Sequence, residues 1–348
     1  MATKAILITG ASGEIGHALI QSLSQTKDNT IVALDIKDLD YQLDNLISIK
    51  ADIRDRKQLE QIFAEYDFEK IFHLAAILTT GGEKNPQFTH EVNVDGSANL
   101  LDLAQQQTEK RGSATIFIFP STIAVYGISS LEKKIKAGTI TEKEFLDPIT
   151  IYGVNKIYVE KLGTYYSEHY KFLNNDAVIR LDFRSIRFPG IMSGHTVPSG
   201  GTSDYGPEMI HAAAKGETSD CFVNPDSTIP FMVMPDAVKA ILDLAAADGN
   251  KLTQRVYNVK AFSVSAKDIE QELKKYYPKF QTNYKIHPKR LQIVESWPMD
   301  INDEPARKDW NWKPEFDFKE AFENYLIPQI SKRYNKSDCE SLPSCGNG

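Results

Sequence analysis

Apolar residues come along this chain in two rhythms. Over residues 5–9, 31–34, 47–49, 70–74 and 115–119 they form short, β-branched, nearly unbroken runs, the signature of strands whose sheet is covered on both faces. Over 15–24, 57–66 and 91–106 they recur at helical spacing, and only a few residues separate each run from the next. Strand and helix in regular alternation predict an α/β fold with a doubly wound parallel sheet, the Rossmann arrangement. Another amphipathic helix is predicted from Tyr152 to about Tyr170, followed by a strand over 182–188. The rhythm then loosens. Residues 189–204 are rich in Gly, Ser, Thr and Pro, and 225–312 mix short strands, short helices and scattered prolines. Residues 1–188 therefore read as the large domain, with a segment near 229–260 returning to it. Residues 189–334 read as a smaller α/β lobe, with the substrate cleft between the two, and 335–348 as a disordered tail.

Composition narrows the class without altering that outline. With 41% hydrophobic residues among 348, the chain can fill the core of one large domain or two joined ones. Forty basic against 47 acidic residues give a net charge of −7, and no basic run exceeds a few residues, so nucleic acid and membrane surfaces are poor partners. No apolar stretch approaches a membrane span and the first strand begins almost at once. The expected compartment is the cytoplasm, with a mitochondrial form whose presequence has been removed as the alternative. Cys221, Cys339 and Cys345 make neither a disulfide framework nor a metal-ligand spacing. Cys221 is expected to pack in the core and the other two to lie in the tail.

The chemistry begins where the first strand ends. Gly10, Gly13 and Gly16, with Ser12, Glu14 and Ile15 between them, follow Thr9 and open a helix. Glycine at these spacings lets the backbone turn tightly and approach a pyrophosphate, which the free N–H groups of the helix N-terminus can hold. Asp35, followed by Ile36, ends the second strand, where a carboxylate accepts hydrogen bonds from ribose hydroxyls and repels a 2′-phosphate; the expected cofactor is NAD rather than NADP. Asp52 and Ile53 after the third strand are candidates for the adenine, and His73, Leu74, Ala75 and Ala76 for the route to the nicotinamide.

Tyr152 and Lys156 stand one helical turn apart. A tyrosine has an ordinary pKa of about 10, and a neighbouring ammonium favours its phenolate, so the pair suits removal of a hydroxyl proton. Ser121 and Thr122, in a loop opening from the strand at 115–119, are candidates to hold the reacting oxygen.

These features together resemble the extended short-chain dehydrogenase/reductase family. The likeness lies in the glycine pattern, the run from His73 to Ala76, the run beginning at Asn93, Ser121 and Thr122 ahead of Tyr126 and Gly127, and the Tyr152/Lys156 pair. The resemblance implies that Thr122, Tyr152 and Lys156 are catalytic, that Tyr152 and Lys156 also touch the cofactor, that Asn93 is a structural asparagine beside it, and that Pro189 and Ile191 meet the nicotinamide carboxamide. Residues 77–86, 187–193, 200–205, 230–236 and 297–310 are similar to the short-chain-type L-threonine 3-dehydrogenases. That likeness implies oxidation of the L-threonine β-hydroxyl to L-2-amino-3-oxobutanoate with NAD, no zinc, and a homodimer packed through the helices at 91–106 and 152–170. By the same likeness Thr79, Gly201, Thr202 and Asp204 border the amino acid, with Thr122 and Tyr152 on its hydroxyl and Asp204 on its ammonium.

Thr80, Gly81, Ser199 and Gly206 depart from the relatives' pattern, 173–181 looks inserted, and 128–147 is long. A nucleotide-sugar epimerase or dehydratase shares the Tyr/Lys pair and would need basic side chains for a diphosphate. Arg255, Lys260, Lys289 and Arg290 are the candidates. A non-catalytic NAD-binding scaffold would keep the fold alone.

Overall fold

Successive residues of the first strands point into different cores. Ile6 and Ile8 of the first strand and Ile31 and Ala33 of the second pack in one hydrophobic cluster, while Ala5, Leu7, Val32 and Leu34 pack in another on the opposite face. Both faces are covered, which is why the runs are apolar without alternation. The computed structural model describes residues 2–26, 29–174, 178–198 and 200–334. The expected tail with Cys339 and Cys345, the departure at Ser199 and part of the insertion at 173–181 lie outside the described residues.

In chain order the first half runs β1 (Thr3–Thr9), α1 (Glu14–Leu23), β2 (Thr30–Asp35), β3 (Leu46–Lys50), α2 (Arg56–Glu65), β4 (Tyr66–His73), α3 (Thr79–Gly82), α4 (Pro86–His90), a π-helical turn (Glu91–Gly96), α5 (Ser97–Arg111), β5 (Ile116–Thr122), α6 (Leu131–Ala137), β6 (Thr139–Ile140), α7 (Ile151–Glu168) and β7 (Asp182–Phe188). The second half runs β8 (Gly190–Met192), α8 (Tyr205–Lys215), β9 (Ser219–Cys221), β10 (Thr228–Val233), α9 (Met234–Ala246), β11 (Val256–Asn258), β12 (Phe262–Ser265), α10 (Ala266–Tyr276), β13 (Thr282–Tyr284), α11 (Pro288–Ser296), β14 (Asp300–Ile301), α12 (Glu304–Trp310), α13 (Phe318–Glu320) and α14 (Ile327–Tyr334).

Seven parallel strands form the main sheet in the order β11-β7-β5-β4-β1-β2-β3. The order reverses between β1 and β4, and in such sheets the crevice at the carboxyl ends beside that switch is where ligands bind. β11 comes back from the second half to pair with β7, Asn258 opposite Arg187. Outside the main sheet, β12-β10-β8 make a three-stranded sheet, and β13-β9 and β14-β6 are two-stranded. Among the described residues no helix is long and apolar enough to cross a membrane.

Two boundaries differ from expectation in ways that matter. Tyr66 is the first residue of β4 rather than the last of α2, so helix passes into strand without a loop. Ser121 and Thr122 end β5 itself, paired with Arg187 and Phe188 of β7, rather than sitting in the loop beyond it. Cys221 is buried as expected, and burial pushes its thiol up to about 11.

Candidate active site

Gly10 turns the chain out of β1 at φ +68°, and a Cβ there would lie 2.6 Å from the Ala75 nitrogen. The turn is thus pressed against the loop leaving β4, and only glycine fits. α1 starts behind Gly13 with no side chain capping its first N–H groups, which leaves them available to an anion. The turn is tied to the tip of β2 as well. Asp35 Oδ2 accepts from the Ser12 nitrogen at 3.0 Å and Oδ1 accepts from the Lys37 nitrogen at 3.0 Å, while Ile36 between them is exposed. Glu14 accepts from the Thr196 hydroxyl at 2.9 Å, joining the turn to the segment after β8, the strand that contains Ile191 and directly follows Pro189. Ile53 is buried against the position of the Gly96 Cβ, and Asp52 is held by Arg54, whose guanidinium keeps that carboxyl below its usual range.

Behind the turn, two expected cofactor residues face inward. His73 is fully buried with its ring nitrogens 2.7 Å from the Thr9 hydroxyl and 2.8 Å from the Ser97 hydroxyl. Burial, with the Lys156 charge added, lowers its pKa to about 3 and holds it neutral. It pins β1, β4 and α5 together rather than lining a route, which leaves Leu74, Ala75 and Ala76 along the loop that follows. Asn93 spends its amide on one residue: Oδ1 accepts from the Ile77 nitrogen at 2.8 Å and Nδ2 donates to the Ile77 carbonyl at 2.9 Å. It fixes that loop from below.

Thr122, Tyr152 and Lys156 come together at the carboxyl end of β5. Thr150 caps α7 by accepting from the Gly153 nitrogen, and Glu83 accepts from the Ile151 nitrogen, so Tyr152 lies in a first turn whose free ends are satisfied. Burial pushes the Tyr152 phenol above its ordinary value, and the neighbouring Thr122 hydroxyl pulls the other way without outweighing it. Lys156 lies one turn on, nearly buried, donating to the Pro120 carbonyl at 2.7 Å with its nitrogen 4.3 Å from the Phe119 ring centre and 5.7 Å from that of Tyr152. Burial lowers the amine to about 7, opposed by Glu160.

The loop after β8 meets the segment that follows β4. The Thr80 hydroxyl donates to the Gly200 carbonyl at 3.1 Å, which brings the short helix of Thr79 to the segment of Gly201, Thr202 and Asp204. Thr79 and Thr202 are buried. The Asp204 carboxylate accepts from the Gly201 nitrogen at 2.6 Å, and Arg290, stacked on Phe222, donates to the Gly201 carbonyl at 2.7 Å. Two other cations proposed for a diphosphate are engaged elsewhere. Arg255 pairs with Asp182 at the start of β7, the opposite end of the sheet, and Lys260 pairs with Asp300.

Ser121 is not where the sequence suggested. It is buried in β5 and donates to Glu160 Oε1 at 2.5 Å. Nothing in the sequence assigned a role to Glu160, Arg187 or Gly153. Glu160 follows Lys156 by one turn and was visible by spacing; Arg187, across the sheet, carries no local signal. A Cβ on Gly153 would lie 2.1 Å from the Ala124 carbonyl, so the start of α7 is jammed against the turn following β5.

Residues 6–259 match the model of the NAD dependent epimerase/dehydratase family. The L-threonine 3-dehydrogenase, mitochondrial, of Bos taurus is 35% identical over 323 residues, 92% of this chain and 81% of that one. Among solved structures, an L-threonine dehydrogenase from Phytophthora infestans superposes with a TM-score of 0.81 at 36% identity, covering 94% of this chain and 99% of that one. A monomeric L-threonine 3-dehydrogenase of metagenomic origin does so with a TM-score of 0.81 at 35% identity over the same shares.

Proposed function

The chain belongs to the NAD dependent epimerase/dehydratase family, and from that premise we propose that it oxidises the 3-hydroxyl of L-threonine to L-2-amino-3-oxobutanoate with NAD. The observation that carries this reading is the meeting of Thr122, Tyr152 and Lys156 at the carboxyl end of β5, in a chain 35% identical to an L-threonine 3-dehydrogenase over 81% of that protein and 36% identical to an L-threonine dehydrogenase structure over 99% of that one.

The residues fit the cofactor. The cradle at Gly10 would be filled by a Cβ, the first N–H groups of α1 have no side-chain cap, and Asp35 stands at the tip of β2 where ribose hydroxyls would reach it. NAD, when bound, supplies the acceptor for the two electrons leaving the substrate carbon and a positive ring beside the tyrosine. The chain supplies the rest. Thr122 holds the substrate hydroxyl, and Tyr152 takes its proton. Because burial raises that phenol, its ionisation needs a positive neighbourhood, which Lys156 provides. Lys156 also holds the cofactor ribose. Thr79, Thr202 and Asp204 close on the amino acid, with Asp204 shaping the loop at Gly201 as well as facing the ammonium.

Threonine and NAD+ thus become the amino ketone, NADH and one proton. Tyr152→Phe keeps the ring and removes the base. It is expected to lower kcat at least ~1000-fold while NADH still binds. A variant with near-native turnover would defeat the assignment. We infer a homodimer through α7, where Val154, Tyr158 and Tyr165 are exposed beside Phe88 of α4.

A further inference from the structure

A second charged pair lies behind Tyr152 and Lys156, and the mechanism so far gives it nothing to do. Glu160 and Arg187 have side-chain exposures of 1% and 2%, and their closest approach is 2.6 Å. The carboxylate accepts from Arg187 Nη2 at 2.6 Å, from Arg187 Nε at 2.9 Å and from the Ser121 hydroxyl at 2.5 Å. Ser121 sits opposite Arg187 in the sheet, between Pro120, whose carbonyl takes the Lys156 amine, and Thr122, whose hydroxyl meets Tyr152. We propose that Glu160 and Arg187 are positioning residues for this site: through Ser121 they fix the last residues of β5, and Glu160, one helical turn beyond Lys156 on α7, sets a carboxylate on the lysine's own helix face. The inference rests on the dehydrogenase reading and deepens it.

The pair is neutral by itself and leaves the charge of Lys156 in place. With Arg187 and Lys156 positive and Glu160 negative, the buried group carries one net positive charge while Tyr152 holds its proton, and none once the phenolate forms. Uncompensated charge is costly in an interior, so the cluster favours the ionised tyrosine. Arg187 is immobilised for this task. It also donates to the Tyr126 hydroxyl at 3.0 Å and to the Glu142 carbonyl at 2.8 Å, and Tyr126 donates to Asn258 Oδ1 at 2.7 Å. The groups facing Lys156 are Tyr152 and Glu160 from its own helix, neutral His73 from β4, Phe119 and Pro120 from β5, and Arg187 from β7 through Glu160. Of these, Glu160 is what opposes the downward pull of burial on the amine.

The test uses the full chain with Ser121→Ala, Glu160→Gln and the charge-free pair Glu160→Gln/Arg187→Met. Each is checked for folding by thermal midpoint. Each is then read by NADH formation from threonine and by NADH fluorescence titration across roughly pH 6 to 9, a range that brackets the Lys156 titration. Ser121→Ala is expected to lower kcat about tenfold with little change in KM for NAD. Glu160→Gln is expected to move the alkaline limb of kcat, and the pH at which NADH affinity falls, about one unit lower. Where the single variant does not fold because Arg187 is left unpaired, the charge-free pair replaces it, with the same downward shift and a kcat still about tenfold low because Ser121 has lost its anchor. A folded Glu160→Gln or charge-free variant with wild-type kcat and an unmoved NADH midpoint would reduce the pair to a scaffold and overturn the proposal. A wild-type protein that makes no NADH from threonine sinks the substrate reading instead, and the NADH midpoint then decides the positioning by itself.

Discussion

Tyr152 and Lys156 were legible because a helix makes a four-residue spacing into a shared face, a rule that needs no knowledge of the rest of the fold. The residue between them that matters most carries no such mark. Gly153 has no conformational need to be glycine; it is small because the Ala124 carbonyl occupies the space a Cβ would take, 2.1 Å away. Gly153→Ala must push the first turn of α7 off the β5 turn and carry Tyr152 away from Thr122. We expect kcat to fall about 100-fold, roughly 2.7 kcal/mol of transition-state stabilisation, with the KM for NAD within a few-fold of wild type. Steady-state kinetics of the purified variant decide it, and an unchanged kcat would mean that the collision is absorbed elsewhere. Ser121 was misread for a different reason. Its hydroxyl is like that of Thr122 in every local respect, and alternation along β5 sends the two to opposite faces, one toward Glu160 and the other toward Tyr152.

At the scale of elements, the strands β1 to β5 and β7, the helices α1, α2, α5 and α7, and the parallel sheet followed from hydrophobic period, whereas the short α3, α4, α6 and β6 left no such signal. The π-helical turn at Glu91–Gly96 did not, since its apolar spacing within the 91–106 pattern is indistinguishable from that of an α-helix. The widened turn brings Asn93 to bear on both polar groups of Ile77, at 2.8 and 2.9 Å, so a segment without regular structure between β4 and α3 is held as firmly as a strand. π-helical turns concentrate at functional sites for this kind of reason. Asn93→Ala removes both bonds. Stability is expected to fall by about 2 kcal/mol, at about 1 kcal/mol per buried hydrogen bond, and the NADH Kd to rise about tenfold as the loop of Leu74, Ala75 and Ala76 loosens. Denaturant melts and fluorescence titration measure the two effects separately. A loss of stability with an unchanged Kd would show that the loop does not border the cofactor.

For the whole molecule, the second half was the hardest to read. Its strands are two to six residues long and pair across large sequence separations, as β8 does with β10 and β6 with β14, so local period says little about partners. The oligomer belongs to this scale as well. If two copies pack through α7, Tyr158→Glu places a charge in an apolar contact and is expected to weaken association at least ~100-fold, about 2.7 kcal/mol. Sedimentation velocity reads this directly, and a wild-type protein that runs as a monomer at micromolar concentration removes the dimer. The seventh strand has a consequence for how the protein comes into being. While it is still on the ribosome, a chain that has emerged only through Phe188 has an open sheet edge at β7, and Tyr126 lacks the acceptor that Asn258 will bring. The sheet of the first half is therefore completed only when Val256–Asn258 has been made. A nascent chain stalled before Val256–Asn258 would expose that edge to chaperones and to neighbouring chains, and a fragment ending at β7 would be a poor carrier for the site.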